Sequence, residues 1–124
     1  MTNEILFYIG GAITLIWGIS HLFPTKNVVK GFGEISQDNR HIITMEWIVE
    51  GVALIFTGVI VIGVTIIDAA NNVSAFVYLS SAVVLLVLAV VSLFTGFKIK
   101  FLPFKLCPFL FSASAALIIL GHLL

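Results

Sequence analysis

The chain alternates four long apolar runs with three polar connections. The runs are Ile5–Phe23, Ile42–Ile67, Val73–Phe97 and Leu106–Leu124. Each is about 19 residues or longer, and a helix of roughly 20 residues crosses the hydrocarbon core of a bilayer. Every backbone amide in lipid must be satisfied within its own segment, so the runs predict membrane-spanning helices. The predicted fold class is therefore all-α: one domain over residues 1–124, an integral membrane four-helix bundle.

The connections predict how the four helices are arranged. The connection over residues 24–41 is expected at the membrane interface, because its apolar residues fall on one side of a short helix: Val28, Val29, Phe32 and Ile35. Asp38 or Asn39 is a natural N-cap for the second spanning helix. The other two connections are short and predict antiparallel neighbours for helices two and three and for helices three and four. Pro108 is expected in the first turn of the last helix.

Glycines on the first two helices predict a close contact between helices. Gly11 and Gly18 are seven residues apart in the first run, and Gly51 and Gly58 are seven apart in the second. Residues at this spacing lie on one stripe of a helix. Small residues on such a stripe allow a neighbouring backbone to approach closely in a membrane bundle.

Composition and charge support the membrane assignment and set its orientation. Of the 124 residues, 60% are hydrophobic and 10% charged, against about 25% charged in soluble domains. The formal net charge is zero, and nothing in the chain indicates nucleic-acid binding. All six basic residues fall in the first and third connections: Lys26, Lys30, Arg40, Lys98, Lys100 and Lys105. By the positive-inside rule, these connections face the cytoplasm, and both termini face away from it.

Two carboxylates interrupt the second apolar run. Glu46 and Glu50 are four residues apart, so they share one face of the helix. They lie roughly 6 and 12 Å in from the start of the run, and His21 lies near the same membrane face on the first helix. Ionisable groups inside a membrane segment are functional candidates by default. The hypothesis is a ligand pocket open to the cytoplasmic leaflet, with Glu50 at its floor and His21 and Glu46 near its mouth.

Each of these residues also has a structural interpretation. A protonated Glu50 could tie helices together by hydrogen bonds to His21 or to a hydroxyl. The hydroxyls expected at that depth are those of Ser92, Thr95, Ser112 and Ser114. Trp17 and Trp47 could line the pocket as ligand-binding residues, or they could be interfacial anchors. His21 could equally cap or snorkel at the end of its helix. The sequence is compatible with both the functional and the structural interpretation of these residues.

The sequence indicates no cofactor and no metal. Cys107 is the single cysteine, which excludes an internal disulfide and a multi-cysteine metal site. His21 and His122 are expected in opposite membrane halves, so they cannot serve as the two axial ligands of one haem. No catalytic residue is singled out by any motif. The expected partners are membrane lipids and a lipidic or small hydrophobic or cationic ligand, with homo-oligomerisation left open.

Part of the chain resembles a known group of membrane proteins. A first helix that ends Trp17-Gly18-Ile19-Ser20-His21-Leu22-Phe23, an interfacial stretch, and then the segment Glu50–Gly58 look like small bacterial DoxX-like four-helix proteins. That group is similar in architecture to the EXPERA proteins, which hold sterol-like or amine ligands in a membrane pocket through acidic groups. The resemblance covers about half the chain. It implies four helices and a pocket. The expected location is an integral membrane position in a bacterial inner membrane.

Four classes of function fit these features. The first is a small membrane protein that binds a lipidic or hydrophobic ligand. This class includes accessory subunits of larger complexes. The second is a proton-coupled transporter. Small multidrug resistance transporters have four helices at this length, but they carry their glutamate in the first helix and show weaker charge bias. The third is an enzyme on a lipidic substrate, with Glu and His as an acid–base pair. The fourth is a purely structural protein.

Overall fold

The computed structural model describes residues 2–124 and is all-helical, as the apolar runs predict. Its five α-helices are α1 (Thr2–Leu22), α2 (Thr25–Gly31), α3 (Gln37–Asp68), α4 (Asn72–Phe94) and α5 (Leu102–Leu123), and a single 3-10 turn, Gly96–Lys98, follows α4. Four of them, all except the short α2, are long and apolar enough to cross a membrane. The predicted all-α class and the four long helices are confirmed.

The longest helix, α3, begins earlier than its apolar run. The run starts at Ile42, but α3 begins at Gln37, and its N-cap is Ser36, whose hydroxyl accepts a hydrogen bond from the Asn39 amide at 3.1 Å. The predicted N-cap at Asp38 or Asn39 is therefore wrong. The apolar run marks the part of a helix that is suited to lipid. Polar residues ahead of it continue the same helix, so hydropathy misplaces the helix start.

The last helix likewise begins before its apolar run. It starts at Leu102 rather than Leu106, so Pro103 occupies the first turn and Pro108 lies inside the helix. The prediction that Pro108 sits in the first turn is wrong. Proline lacks an amide hydrogen, so Pro108 leaves the Phe104 carbonyl without its intrahelical donor.

The four long helices form a bundle. Of the helix pairs that lie next to each other in it, α3 and α4 have the least contact. The extensive contacts join α1 to α3, α1 to α5 and α4 to α5. The predicted pairing of α4 with α5 is confirmed. The side-chain hydrogen bonds between α3 and α4 lie near their connecting turn: Thr65 to the Tyr78 hydroxyl at 2.9 Å, and Ser74 to the Val64 and Asp68 carbonyls. The short connection therefore holds α3 and α4 together at the turn, but the two helices do not pack closely along the rest of their length.

Glycines fix the contact between α1 and α3. A Cβ on Gly18 would lie 3.0 Å from the Gly51 carbonyl oxygen, and one on Gly58 would lie 2.6 Å from the Gly11 carbonyl oxygen. The distance at Gly58 is shorter than real Cβ contacts, and the distance at Gly18 is at their tight limit. The two glycine stripes therefore face each other, and the predicted close helix contact is confirmed.

Candidate functional site: a cavity with a buried histidine

A cavity of about 460 Å³ lies at the end of the bundle that carries the basic residues. It is enclosed by the C-terminal ends of α1 and α4, the first half of α3, the start of α5 and the turn between α4 and α5. Its walls are formed by Trp17, Ser20, His21, Pro24, Val28, Trp47, Glu50, Leu88, Val91, Ser92, Thr95, Gly96, Ile99, Phe101, Pro103, Phe104, Cys107 and Phe111. The volume is within the usual range for small-molecule sites.

A cluster of three side chains joins α1 to α3 on one wall of the cavity. The imidazole of His21 stacks on the indole of Trp47, with ring centroids 3.8 Å apart. The Trp47 indole N–H donates to the His21 backbone carbonyl at 2.7 Å, which satisfies one of the carbonyls left free at the end of α1. The Nε2 atom of His21 lies 3.4 Å from the Glu50 carboxylate. The carboxylate thus reaches the histidine directly, which is one of the contacts that the sequence left open.

Two nitrogen atoms on the same wall have no hydrogen-bond partner. They are the indole Nε1 of Trp17 and the Nε2 of His21, both buried. The Trp17 N–H lies against the Cys107 sulfur, which is only a weak acceptor. The 3.4 Å separation from Glu50 puts His21 within ion-pair distance, but the pair does not meet hydrogen-bond geometry. The His21 side chain is only 9% exposed, whereas that of Glu50 is 44% exposed. Buried polar groups are rarely left unpaired in proteins, so these two nitrogens are groups that a ligand or a water in the cavity could bind.

The hydroxyl and thiol groups on the opposite walls already donate to their own helices. Ser92 donates to the Leu88 carbonyl at 2.7 Å, and Thr95 donates to the Val91 carbonyl at 2.6 Å. The Cys107 thiol donates to the Pro103 carbonyl at 3.4 Å. Since each hydrogen is used within the helix, these groups present only acceptor lone pairs to the cavity.

The turn between α4 and α5 and the first turn of α5 close the end of the cavity with aromatic rings. Phe104 meets the edge of the Trp47 ring at a centroid distance of 5.7 Å. Lys105 holds the turn by donating to the Phe97 carbonyl at 3.1 Å, and its ammonium also lies 4.9 Å from the Phe97 ring centre. No lysine or arginine of the described residues lines the cavity, so Glu50 sets the sign of its charge.

Most, but not all, of the residues predicted for the site come together here. Trp17, His21, Trp47 and Glu50 line the cavity, together with the predicted hydroxyls of Ser92 and Thr95. Glu46 does not line it: this side chain is exposed on α3, one turn before Glu50.

Two hydroxyls predicted at the same depth lie elsewhere. Ser112 is exposed outside the cavity. Ser114 is buried against Thr14, with 2.6 Å between the hydroxyl oxygens, and donates to the Gly10 carbonyl at 2.6 Å. Because α5 begins earlier than its apolar run suggests, both serines lie deeper along the helix than the sequence indicated.

Several wall residues were not predicted from the sequence. Phe104, Cys107 and Phe111 were not predicted as site residues, yet all three line the cavity. Phe104, Cys107 and Phe111 follow each other at intervals of three and four, which is the signal of one helix face. That signal was hidden because Phe104 lay outside the predicted last helix.

A second cavity, of about 590 Å³, lies at the opposite end of the bundle. Its polar wall residues are Asn3, Glu4, Asp68 and His122. His21 and His122 therefore lie at opposite ends, as predicted. Within residues 2–124, no three His, Cys, Asp or Glu side chains are grouped so that they could hold a metal ion.

Comparisons with protein-family models, with curated proteins and with solved structures give no match. The resemblance of the first two long helices to DoxX-like proteins stays a prediction. The function is inferred below from the geometry of the cavity that contains His21 and Glu50.

Proposed function

We propose that this protein is a small integral membrane protein that binds a lipidic or small hydrophobic ligand in the cavity between α1, α3, α4 and α5. The observation that carries the proposal is the pair of buried, unpartnered nitrogens of Trp17 and His21 on the wall of a 460 Å³ cavity. The remaining wall is mainly apolar and aromatic, as in small-molecule sites generally. A ligand with a polar head and an apolar body fits such a wall.

The position of the basic residues supports a cytoplasmic-leaflet location for this cavity. Lys26, Lys30 and Arg40 precede or begin α3, and Lys98, Lys100 and Lys105 surround the turn between α4 and α5. Both groups are at the cavity end of the bundle. The positive-inside rule places that end at the cytoplasmic face of the membrane, and the chain in a plasma membrane, with the DoxX-like resemblance favouring a bacterial one.

Two serines on α4 offer a matched test of the proposal. Ser92 lines the cavity and Ser80 is exposed elsewhere on the same helix, and each donates to the carbonyls three and four residues before it. Ser92→Phe puts a ring into the cavity, whereas Ser80→Phe puts the same ring outside it. We expect wild type and Ser80→Phe to retain a bound lipid through gentle purification, detected by native mass spectrometry, and Ser92→Phe to lose it. Equal retention by all three proteins, or none by wild type, would contradict the proposal.

Transport is the second candidate, and the second cavity is the observation that favours it. Two cavities at opposite ends, separated by a packed core that includes Leu54, Val61 and Leu85, are what a pathway with alternating access requires. A carrier would move a ligand or a proton across liposomes at a rate that depends on Glu50. Equal flux in wild type and Glu50→Gln would remove this candidate and leave binding.

A further inference from the structure

We infer, on the basis of the proposed binding function, that the ligand is an uncharged amphiphile whose headgroup carries both hydroxyl groups and an acceptor oxygen. The indole N–H of Trp17 binds this oxygen. The nitrogens of Trp17 and His21 are the starting point. The two residues are four apart on α1, so they face the cavity from the same side of the helix, one turn apart.

Trp17 requires an acceptor. An indole nitrogen can only donate; that of Trp17 is buried without a nitrogen or oxygen acceptor, and the Cys107 sulfur, against which it lies, is only a weak acceptor. The Trp47 indole provides the contrast within the same site, because its N–H is already used by the His21 carbonyl. An occupant that lacked an acceptor would leave the Trp17 N–H dehydrated and unpaired, which is unfavourable.

The rest of the polar wall requires donors. The Glu50 carboxylate accepts hydrogen bonds, and the hydroxyls of Ser92 and Thr95 offer only lone pairs because their hydrogens are bound to backbone carbonyls. Hydroxyl groups on the ligand can donate to these acceptors. A single oxygen acceptor for Trp17 and one or more hydroxyls for the other side together describe a glycerol-ester type of headgroup.

Charge and hydrogen bonding disfavour two simpler classes of headgroup, the anionic and the alkylammonium. The carboxylate of Glu50 repels an anionic head, and no lysine or arginine among the described residues lines the cavity to offset it. An alkylammonium would satisfy Glu50, but an ammonium has three donors and no acceptor, so Trp17 would stay unpaired. A neutral, hydroxylated ester satisfies both sides.

The test uses the two indole N–H groups as reporters. The full-length protein, labelled with 15N in its tryptophan side chains and placed in lipid nanodiscs, is titrated with 1-dodecanoylglycerol, dodecylammonium, dodecanoate and dodecane. Trp17→Phe identifies the Trp17 signal. We expect 1-dodecanoylglycerol alone to shift the Trp17 indole proton downfield in a saturable way, with a smaller effect on Trp47. Trp17→Phe should weaken this binding about threefold to tenfold, the effect of one net hydrogen bond, and leave dodecane binding unchanged.

The failures of the inference and of the proposed function are distinguishable. If 1-dodecanoylglycerol binds with the Trp17 signal unmoved, or if all four probes bind alike, the headgroup inference is overturned while the binding function stands. If none of the probes binds in competition with nanodisc lipid, and Ser92→Phe retains as much lipid as wild type, both are overturned.

Discussion

Trp47 and Trp17 form a natural pair for asking what one indole N–H contributes. Both line the cavity, but the Trp47 N–H donates to the His21 carbonyl at 2.7 Å and the Trp17 N–H has no partner. Phenylalanine keeps an aromatic ring and removes the N–H in each case. The two substitutions should therefore have different effects on the free energy of unfolding.

We predict that Trp47→Phe lowers the free energy of unfolding by about 1 kcal/mol, because a hydrogen bond is lost and the carbonyl at the end of α1 is left free. Trp17→Phe should leave the stability unchanged or raise it slightly, because it removes a buried donor that is unsatisfied. Unfolding in a denaturing detergent series, followed by circular dichroism, measures both. A larger loss for Trp17→Phe than for Trp47→Phe would contradict the assignment of the two N–H groups.

Glu50 and Glu46 form the second pair at this scale. Glu50 lines the cavity and reaches His21, whereas Glu46 is exposed on α3 and has no ion-pair or hydrogen-bond partner among the described residues. The Glu50 side chain is 44% exposed, so its contact with His21 resembles a surface pair and contributes at most about 1 kcal/mol to stability.

We predict that Glu50→Gln folds with nearly wild-type stability but reduces retention of the cavity lipid about tenfold, since a hydrogen bond to a charged group is replaced by a neutral one. Glu46→Gln should change neither quantity. Thermal unfolding and native mass spectrometry on the same samples give both readings. Normal lipid retention in Glu50→Gln, together with a loss of stability in Glu50→Leu, would instead assign Glu50 the role of tying α1 to α3.

The sequence was sufficient to identify those cavity-lining residues that break a pattern. Glu50 is an acid within an apolar run, and His21 and Trp17 are polar or aromatic positions one turn apart near the end of α1. It was not sufficient for residues that follow the pattern. Phe104 and Phe111 are two phenylalanines among eleven, and only the packing of α5 against α4 and α1 places them on the cavity wall.

At the scale of elements, the contact between α1 and α3 depends on glycine. A Cβ on Gly58 would lie 2.6 Å from both the Gly11 carbonyl oxygen and the Leu15 amide nitrogen. Neither backbone atom can move without separating the helices. Gly63, five residues further along α3, has nothing within 4 Å of the same position and serves as the matched control.

We predict that Gly58→Leu destabilises the protein by at least 1–3 kcal/mol, the usual effect of overpacking, and that Gly63→Leu leaves its stability unchanged. Thermal melting in detergent compares the two variants directly. Equal melting temperatures for Gly58→Leu and wild type would show that this stripe does not form the helix contact.

The glycine contact was predictable because a seven-residue spacing is visible in the sequence, but the depth of Glu46 was not. From Asp68 at the end of α3, Glu50 is about 27 Å and Glu46 about 33 Å along the helix axis. The hydrocarbon core is about 30 Å thick. Because α3 has 32 residues, its first turns would extend past the core of a bilayer, and Glu46 would then lie at headgroup level; in the structure it is exposed outside the cavity.

At the scale of the whole molecule, the distribution of basic residues predicts one orientation in the membrane. With Cys107 replaced by alanine, a cysteine at Thr2 or Asn72 should react with an impermeant maleimide added to intact cells, and a cysteine at Lys30 should react only after lysis. The physical reason is the exclusive placement of lysine and arginine at the cavity end. If, in intact cells, the cysteines at Thr2 and Asn72 are protected and the cysteine at Lys30 is labelled, the protein has the opposite orientation.

The weak contact between α3 and α4 has a consequence for how the cavity is filled. Away from their turn these helices leave a seam whose two sides, at Glu50 and at Val91 and Thr95, are exposed. In a bilayer, acyl chains rather than water lie against most of that seam. A ligand would then enter sideways from the leaflet, and occupancy would follow its mole fraction in the lipid instead of its aqueous concentration. Even a modest intrinsic affinity would then fill the site, because an amphiphile that is sparingly soluble in water is abundant in the membrane.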